Sequence, residues 1–497
     1  MSLKLTYFFC FGFFLTLTSQ TLLEPDKKIT SQGQVTIRGA KVPYEVTTGT
    51  QPVWDDKGKM SAYLHYTYYR RSDITQLENR PLLISFNGGP GSASVWMHLA
   101  YTGPKILKID DEGYPVQPYG VKDNPYSVLD ATDILYVNPI NTGYSRFLLD
   151  EKDIDKSKYF GVNADIKYLA DWITTFVSRN NRWLSPKYII GESYGGTRVA
   201  GLSLALQNQQ WMYLNGVILV SPADYKSYNQ DNAVSNALSV PYYAATAWHH
   251  KKLNPSLQQK DLLDILPEVE NFTVNQLIPA LVKGGFLDQV SKENLAQQLA
   301  NYTGINAKVY LQHNLMLPES YFWKELLREE GFNIGRLDSR YLGIDKKESG
   351  SSPDYSAELT SWLHSFTPAI NYYFQEILKL KTDVKYNMFG NVQPWNYENN
   401  NTLDNLRQAM AQNPYLHVLY QTGYYDGATT YFNAKYSMWQ IDPSGKLKNR
   451  MEFKGYRSGH MMYLRKEDLQ TSNEDLRNFI LRTSNTGKQA EYLRKSN

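Results

Sequence analysis

Cysteine is almost missing from this chain: one residue, Cys10, in 497. That excludes a disulfide framework and paired-cysteine redox or zinc chemistry. An excess of one charge is missing too. The formal net charge is +3, acids and bases are interspersed, and no basic block occurs. Neither nucleic acid nor an anionic membrane surface is therefore expected as a partner. No H-E-x-x-H run is present, and His249-His250 has no further ligands at helical spacing. Metal is not expected, nor is any other cofactor. No apolar run reaches the roughly 20 residues that a spanning helix needs. Internal repeats and low-complexity tracts are also absent.

What is present describes a globular protein. Apolar residues make up 42% and charged residues 20%, the ordinary balance of a soluble domain. The length suggests one large domain with an insertion, or two domains. Tyrosine is abundant, at 39 residues. It can line a groove, but the simpler reading is that it fills core and surface. The first residues differ from the rest. Lys4 precedes the apolar run Tyr7–Leu17, and small polar Thr18 and Ser19 follow. Residues 1–19 read as a secretory signal peptide, with an uncleaved anchor as the alternative. Export is expected, to a periplasm or out of the cell. The mature chain would hold no cysteine and no stable membrane span. Oligomeric state is not legible.

From Gln34 to Arg70, apolar and polar residues alternate, and Asp56-Lys57-Gly58 reads as a hairpin turn. Antiparallel strands at a sheet edge are expected there. Unbroken apolar runs follow: PLLISF (81–86), ATDILYVNP (131–139), KYIIGES (187–193), NGVILVSP (215–222) and HVLYQTGYYD (417–426). Such runs suit central strands covered on both faces. Helical patterns such as Ala164–Phe176 lie between several of them. The expected class is α/β, with a mostly parallel, doubly wound sheet. Residues 225–384 are rich in helix formers and show no clear central strand. They read as a helical cap inserted between core segments 20–224 and 385–497. Asp442-Pro443-Ser444-Gly445 reads as a hairpin turn.

Gly191-Glu192-Ser193-Tyr194-Gly195 fits G-x-S-x-G. The strand KYII runs into it, and the small-residue stretch TRVAGLSLAL follows it. Strand, sharp turn and helix are the setting of the nucleophile elbow in the α/β-hydrolase fold. Glycines flank the serine because the turn leaves little room for side chains. A serine hydroxyl needs a base to take its proton. In this fold acid and then histidine follow the serine along the chain. Of the eight histidines, His460 in Gly459-His460-Met461-Met462 stands where the base should be. Asp426, ending HVLYQTGYYD, stands where the acid should be. Two backbone N–H donors should form an oxyanion hole, one at Tyr194 and one at Gly89 in the loop Asn87–Gly91.

Taken together these segments resemble the serine carboxypeptidase family. Asn87-Gly88-Gly89-Pro90-Gly91 resembles its NGGPG signature and GESYGG (191–196) its nucleophile signature. Gly423–Asp426 and Gly459-His460 resemble its acid and histidine blocks. NRWLSPKY (181–188), GRLDSR (335–340) and AMAQNPYLHVLYQTGYYD (409–426) look like a bacterial branch. The resemblance implies a serine-type carboxypeptidase with peptide or protein substrates. It also implies that Asn87, Gly88 and Glu192 hold the substrate's terminal carboxylate. A glutamic acid beside that carboxylate must be protonated to donate, which implies an acid preference. Four positions depart from the family pattern. The cysteine after NGGPG is Ser92, and a second carboxylate-binding Glu is Tyr101. Asn138 and Asn141 replace Asp and Gly, and Asn141 can still take a left-handed turn. Arg336, Asp338 and Arg340 read as a structural ion-pair cluster. A serine esterase or acyltransferase on the same scaffold, or a non-catalytic binding protein, are the competing readings.

Overall fold

The computed structural model describes residues 22–223, 233–398, 401–484 and 487. The expected signal peptide, with Cys10, lies outside the described residues. The sheet opens with β1 (Lys28–Ile37), β2 (Ala40–Trp54) and β3 (Met60–Arg71), each pairing antiparallel with the next. The second hairpin closes at Asp56-Lys57-Gly58, where Gly58 has φ +75° and Asp55 Oδ1 accepts from the N–H groups of Lys57 and Lys59.

Six further strands continue the sheet's main path: β4 (Leu82–Phe86), β5 (Asp133–Val137), β6 (Lys187–Glu192), β7 (Gly216–Val220), β8 (His417–Gly423) and β9 (Met451–Tyr456), while the short strand Arg146–Phe147 pairs with β3 off that path. The order across the sheet is β1-β2-β3-β5-β4-β6-β7-β8-β9. From β5 onward every pairing is parallel. The architecture is thus α/β, mostly parallel, with an antiparallel edge. β4 to β7 are buried along their whole length, which is why they read as unbroken apolar runs.

Alternation along those strands feeds two layers. Tyr188, Ile190, Ile218 and Leu419 face one side, where α1 (Val95–Ala100) packs. Ile189, Val217, Leu219 and Val418 face the other. There α2 (Val162–Arg179) and α3 (Tyr194–Gln210) cover them. Burial of each large aliphatic side chain contributes about 1.5–3 kcal/mol.

Between β7 and β8 the chain is mainly helical. Helices α4 (Val240–His249), α5 (Leu262–Phe272) and α6 (Gln289–Thr303) share a core of their own, including Tyr242, Val269, Leu299 and Phe322. Helix α7 (Ala357–Tyr372) packs instead on α1, with the Phe366 ring 4.8 Å from that of Trp96. Helix α8 (Thr402–Gln412) returns to the side of the sheet held by α2 and α3.

One expected turn is corrected. Asp442–Gly445 does not close a hairpin. It links helix α9 (Tyr431–Ile441) to β9, which runs parallel to β8. Asp442 accepts from the N–H groups of Ser444 and Leu447, so the turn is real. Its context was misread because β9 is a half-buried edge strand with no apolar run. Helix α10 (Lys466–Thr483) ends the core and covers the α1 face with Leu476, Phe479 and Ile480.

Candidate active site

Strand β6 ends at Glu192, and α3 begins at Tyr194. Ser193 between them has φ 60° and ψ −126°. A non-glycine residue held there costs about 1–3 kcal/mol. Neighbouring backbone enforces it: Ser193 N–H donates to Val220 O at 3.0 Å, and Ser193 O accepts from Gly196 and Ala223 N–H. A Cβ on Gly191 would lie 2.0 Å from Gly195 O, so this turn tolerates only glycine.

The Asn87–Gly91 loop lies against the same turn. A Cβ on Gly88 would come within 2.6 Å of Tyr194 N. Arg198 on α3 fastens the loop, donating to Asn87 O at 2.7 Å and Pro90 O at 3.2 Å. Its third partner is the buried carboxylate of Asp165 on α2, at 2.6 Å. Sequence reading did not find this anchor. It brings Gly89 and the start of α3, both expected oxyanion donors, to one place. The N-terminus of α3 adds a favourable partial charge for a developing oxyanion.

His460 follows β9, and Asp426 follows β8. Their side chains meet, with His460 Nδ1 2.7 Å from Asp426 Oδ2. Asp426 is fully buried and also accepts from Ala428 N–H, Thr429 N–H and Thr429 Oγ1. Burial pulls the His460 imidazole down, but the adjacent carboxylate lifts it above the ordinary histidine range.

Residues 336–340 wedge between the two loops. Gly427 N–H donates to Arg336 O, His460 N–H to Leu337 O, and Ser339 N–H to Tyr425 O. The wedge is stiffened by Arg340, whose Nε and Nη2 both bind the buried Asp338 carboxylate. The expected ion-pair cluster is therefore half right. Asp338 and Arg340 form it, while Arg336 is exposed and makes no part of it.

Gly88, Gly89, Glu192, Ser193 and His460 line one cavity of about 280 Å³. Its other walls are largely apolar: Trp96, Leu337, Leu359, Trp362, Phe389 and Met461. No tyrosine is among the described residues lining it, and the tyrosines fill core, as with Tyr63, Tyr69 and Tyr188, and surface, as with Tyr213 and Tyr372.

Glu192 is buried, and Asn87 Nδ2 donates to its Oε1 at 2.8 Å. Its other oxygen accepts from Tyr463 OH. Burial lifts its carboxyl to about 7, and the charge of His460 only partly offsets this. Tyr463 was not singled out from the sequence, and only its closeness to His460 could have marked it. Tyr101 turns away, donating to Gln421 Oε1 at 2.7 Å. It reaches the site only by stacking on Tyr463, with ring centroids 4.7 Å apart. Asn138 is a buried brace, accepting from Ser94 N–H and facing His65. Asn141 has φ 66°, the left-handed turn expected of it. Ser92 lines the cavity and accepts from Trp96 Nε1 at 2.8 Å.

Residues 54–468 match the serine carboxypeptidase family. Serine carboxypeptidase-like 8 of Arabidopsis thaliana is 26% identical over 198 residues, which is 38% of this chain and 43% of that relative. Vitellogenic carboxypeptidase of Aedes aegypti is 30% identical over 134 residues, 27% of this chain and 26% of that one. The chain thus spans less than half the length of these curated relatives. Among solved structures, the prohormone-processing carboxypeptidase Kex1 of Saccharomyces cerevisiae superposes with a TM-score of 0.55. It covers 88% of this chain and 91% of its own at 16% identity, which speaks to fold alone. The fold is that of the α/β-hydrolases, and over most of its length this chain belongs to the serine carboxypeptidase family.

Proposed function

We propose that this protein is a serine-type carboxypeptidase that removes C-terminal residues from peptides or proteins through an acyl-enzyme on Ser193. One observation carries the reading: the buried His460–Asp426 pair opens onto the cavity that Ser193 and Glu192 share. Ser193 Oγ attacks the scissile carbonyl, and its proton passes to His460. Asp426 orients the imidazole and stabilises its charged form. The N–H groups of Gly89 and Tyr194 hold the oxyanion. His460 then protonates the leaving amine, which departs as the C-terminal residue. Water attacks the ester with His460 as base, freeing the shortened peptide and Ser193. Asn87, the Gly88 N–H and protonated Glu192 hold the terminal carboxylate. Tyr463, not Tyr101, completes the set by bonding Glu192.

Residues 225–384 act in this reading as a cap shaping specificity, because Arg336, Leu337, Leu359 and Trp362 come from that segment. The leader pattern at residues 1–19 supports export, to a periplasm or beyond the cell. Among the described residues no helix is long and apolar enough to cross a membrane. Release of C-terminal residues from a peptide mixture, followed by mass spectrometry from pH 4 to 8, tests the activity. Single-residue trimming that is lost in Ser193→Ala is expected. Cleavage of esters or acyl transfer to alcohols, without trimming, would point to an esterase or acyltransferase instead.

A further inference from the structure

The segment Arg336–Arg340 serves the triad only through its backbone and its inward pair. The Arg336 side chain is left over. It is exposed and lines the cavity beside Ser193 and His460. Among the described residues, no carboxylate lies within ion-pair distance of its guanidinium. It is also the one Lys or Arg among the described residues on that wall. Its main chain cannot drift, since its carbonyl accepts from Gly427 N–H at 3.0 Å, next to the catalytic acid.

An unpaired guanidinium in a partly apolar pocket seeks a planar anion, and a carboxylate matches its fork of donors. Apolar neighbours Leu337, Leu359 and Trp362 would lower the local dielectric around such a pair. They offer nothing to a charged side chain by themselves, so an acidic side chain entering the cavity, apart from the terminal carboxylate held at Glu192, meets one cation, Arg336.

We propose that Arg336 is a specificity-determining residue that binds an acidic side chain of the peptide, on one of the two residues flanking the scissile bond. The proposal rests on the carboxypeptidase reading above and adds a substrate class to it. The same chemistry could instead meet the peptide's terminal carboxylate, and the test separates the two sources.

Blocked dipeptides carrying Glu, Gln or Lys at either position are assayed with wild type, Arg336→Ala and Arg336→Glu at neutral pH and low salt. Wild type should favour Glu over Gln by roughly 2- to 5-fold in kcat/KM at one position. The ratio should fall to about 1 in Arg336→Ala, and Arg336→Glu should favour Lys over Gln at that position. Added salt should shrink the wild-type ratio. No Glu preference at either position, or a preference that survives in Arg336→Ala, overturns the proposal. So does an equal loss on every free-acid peptide with the Glu/Gln ratio intact, which would place the terminal carboxylate at Arg336. Calorimetric binding of the same peptides to Ser193→Ala distinguishes the two levels of failure. If nothing is trimmed but Glu peptides still bind more tightly through Arg336, the carboxypeptidase reading and the placement beside a scissile bond fail, while recognition of an acidic side chain by Arg336 stands. Equal binding of Glu and Gln peptides sinks this one.

Discussion

Glu192→Gln is the most revealing single change at this site. The wild-type carboxyl sits between Asn87 Nδ2 and Tyr463 OH, buried, and titrates near 7. Only its neutral form can donate to a substrate carboxylate. Between pH 5 and pH 8 the neutral fraction of a group titrating near 7 falls roughly tenfold. Relative to ester substrates, which share the His460 titration, the kcat/KM for free-acid dipeptides should fall by the same factor over that range. Ester substrates without a free carboxylate should escape that fall. Gln keeps a donor at every pH, so the variant should lose this slope and overtake wild type by pH 8.

The same burial has a consequence for stability. The folded value lies above the ordinary 4.5, so the unfolded chain deprotonates first. Stability contributed by the neutral carboxyl is complete below about pH 4.5 and is lost as pH climbs through 7. The rise from 4.5 to about 7 corresponds to about 3 kcal/mol at pH 8. Urea denaturation should show Glu192→Gln gaining on wild type across that window, up to that amount. An alkaline fall that persists unchanged in the variant, or that appears equally on esters, would refute the reasoning.

Tyr463→Phe removes a donor that favours the charged form of Glu192. The alkaline limb on free-acid peptides should move to higher pH, as read from a kcat/KM profile. Asp338→Asn leaves Arg340 buried with only the exposed Glu112 carboxylate, at 3.6 Å, for an ion pair. Breaking such a pair typically costs about 3–5 kcal/mol. Denaturation midpoints should drop accordingly, and kcat should fall more than KM rises, because Leu337 O holds the His460 backbone. Arg336→Ala should erase the preference for acidic peptides while the alkaline limb set by Glu192 remains, a contrast visible in paired pH profiles.

Much of the site was legible because its chemistry is tied to local backbone. A Cβ on Gly191 would strike Gly195 O in the turn, one on Gly195 would crowd Phe86 O at 3.0 Å, and a strand must deliver Ser193. Asn141 stands at a positive φ that asparagine tolerates well. The unbroken runs of β4 to β7 follow from burial on both faces. What was not legible depends on contacts across long separations. Tyr463 meets Glu192 over 271 positions, and no spacing rule announces such a pair. Tyr101, expected in the place of a second carboxylate-binding Glu, points to Gln421 with its ring packed in the core. In GRLDSR, charges alternate with other residues, yet only the tertiary fold decides that Asp338 and Arg340 turn inward while Arg336 lines the cavity. β9 escaped notice because a half-buried edge strand needs no apolar run.

Central to the proposed function is one activated hydroxyl, that of Ser193, served by the His460–Asp426 pair. Intact-protein mass after treatment with a fluorophosphonate, followed by peptide mapping, tests it most directly. The account predicts one adduct per chain, on the peptide holding Ser193, with none in Ser193→Ala and strongly slowed labelling in His460→Ala. An adduct on a different serine, or labelling of Ser193→Ala at the wild-type rate, would contradict it.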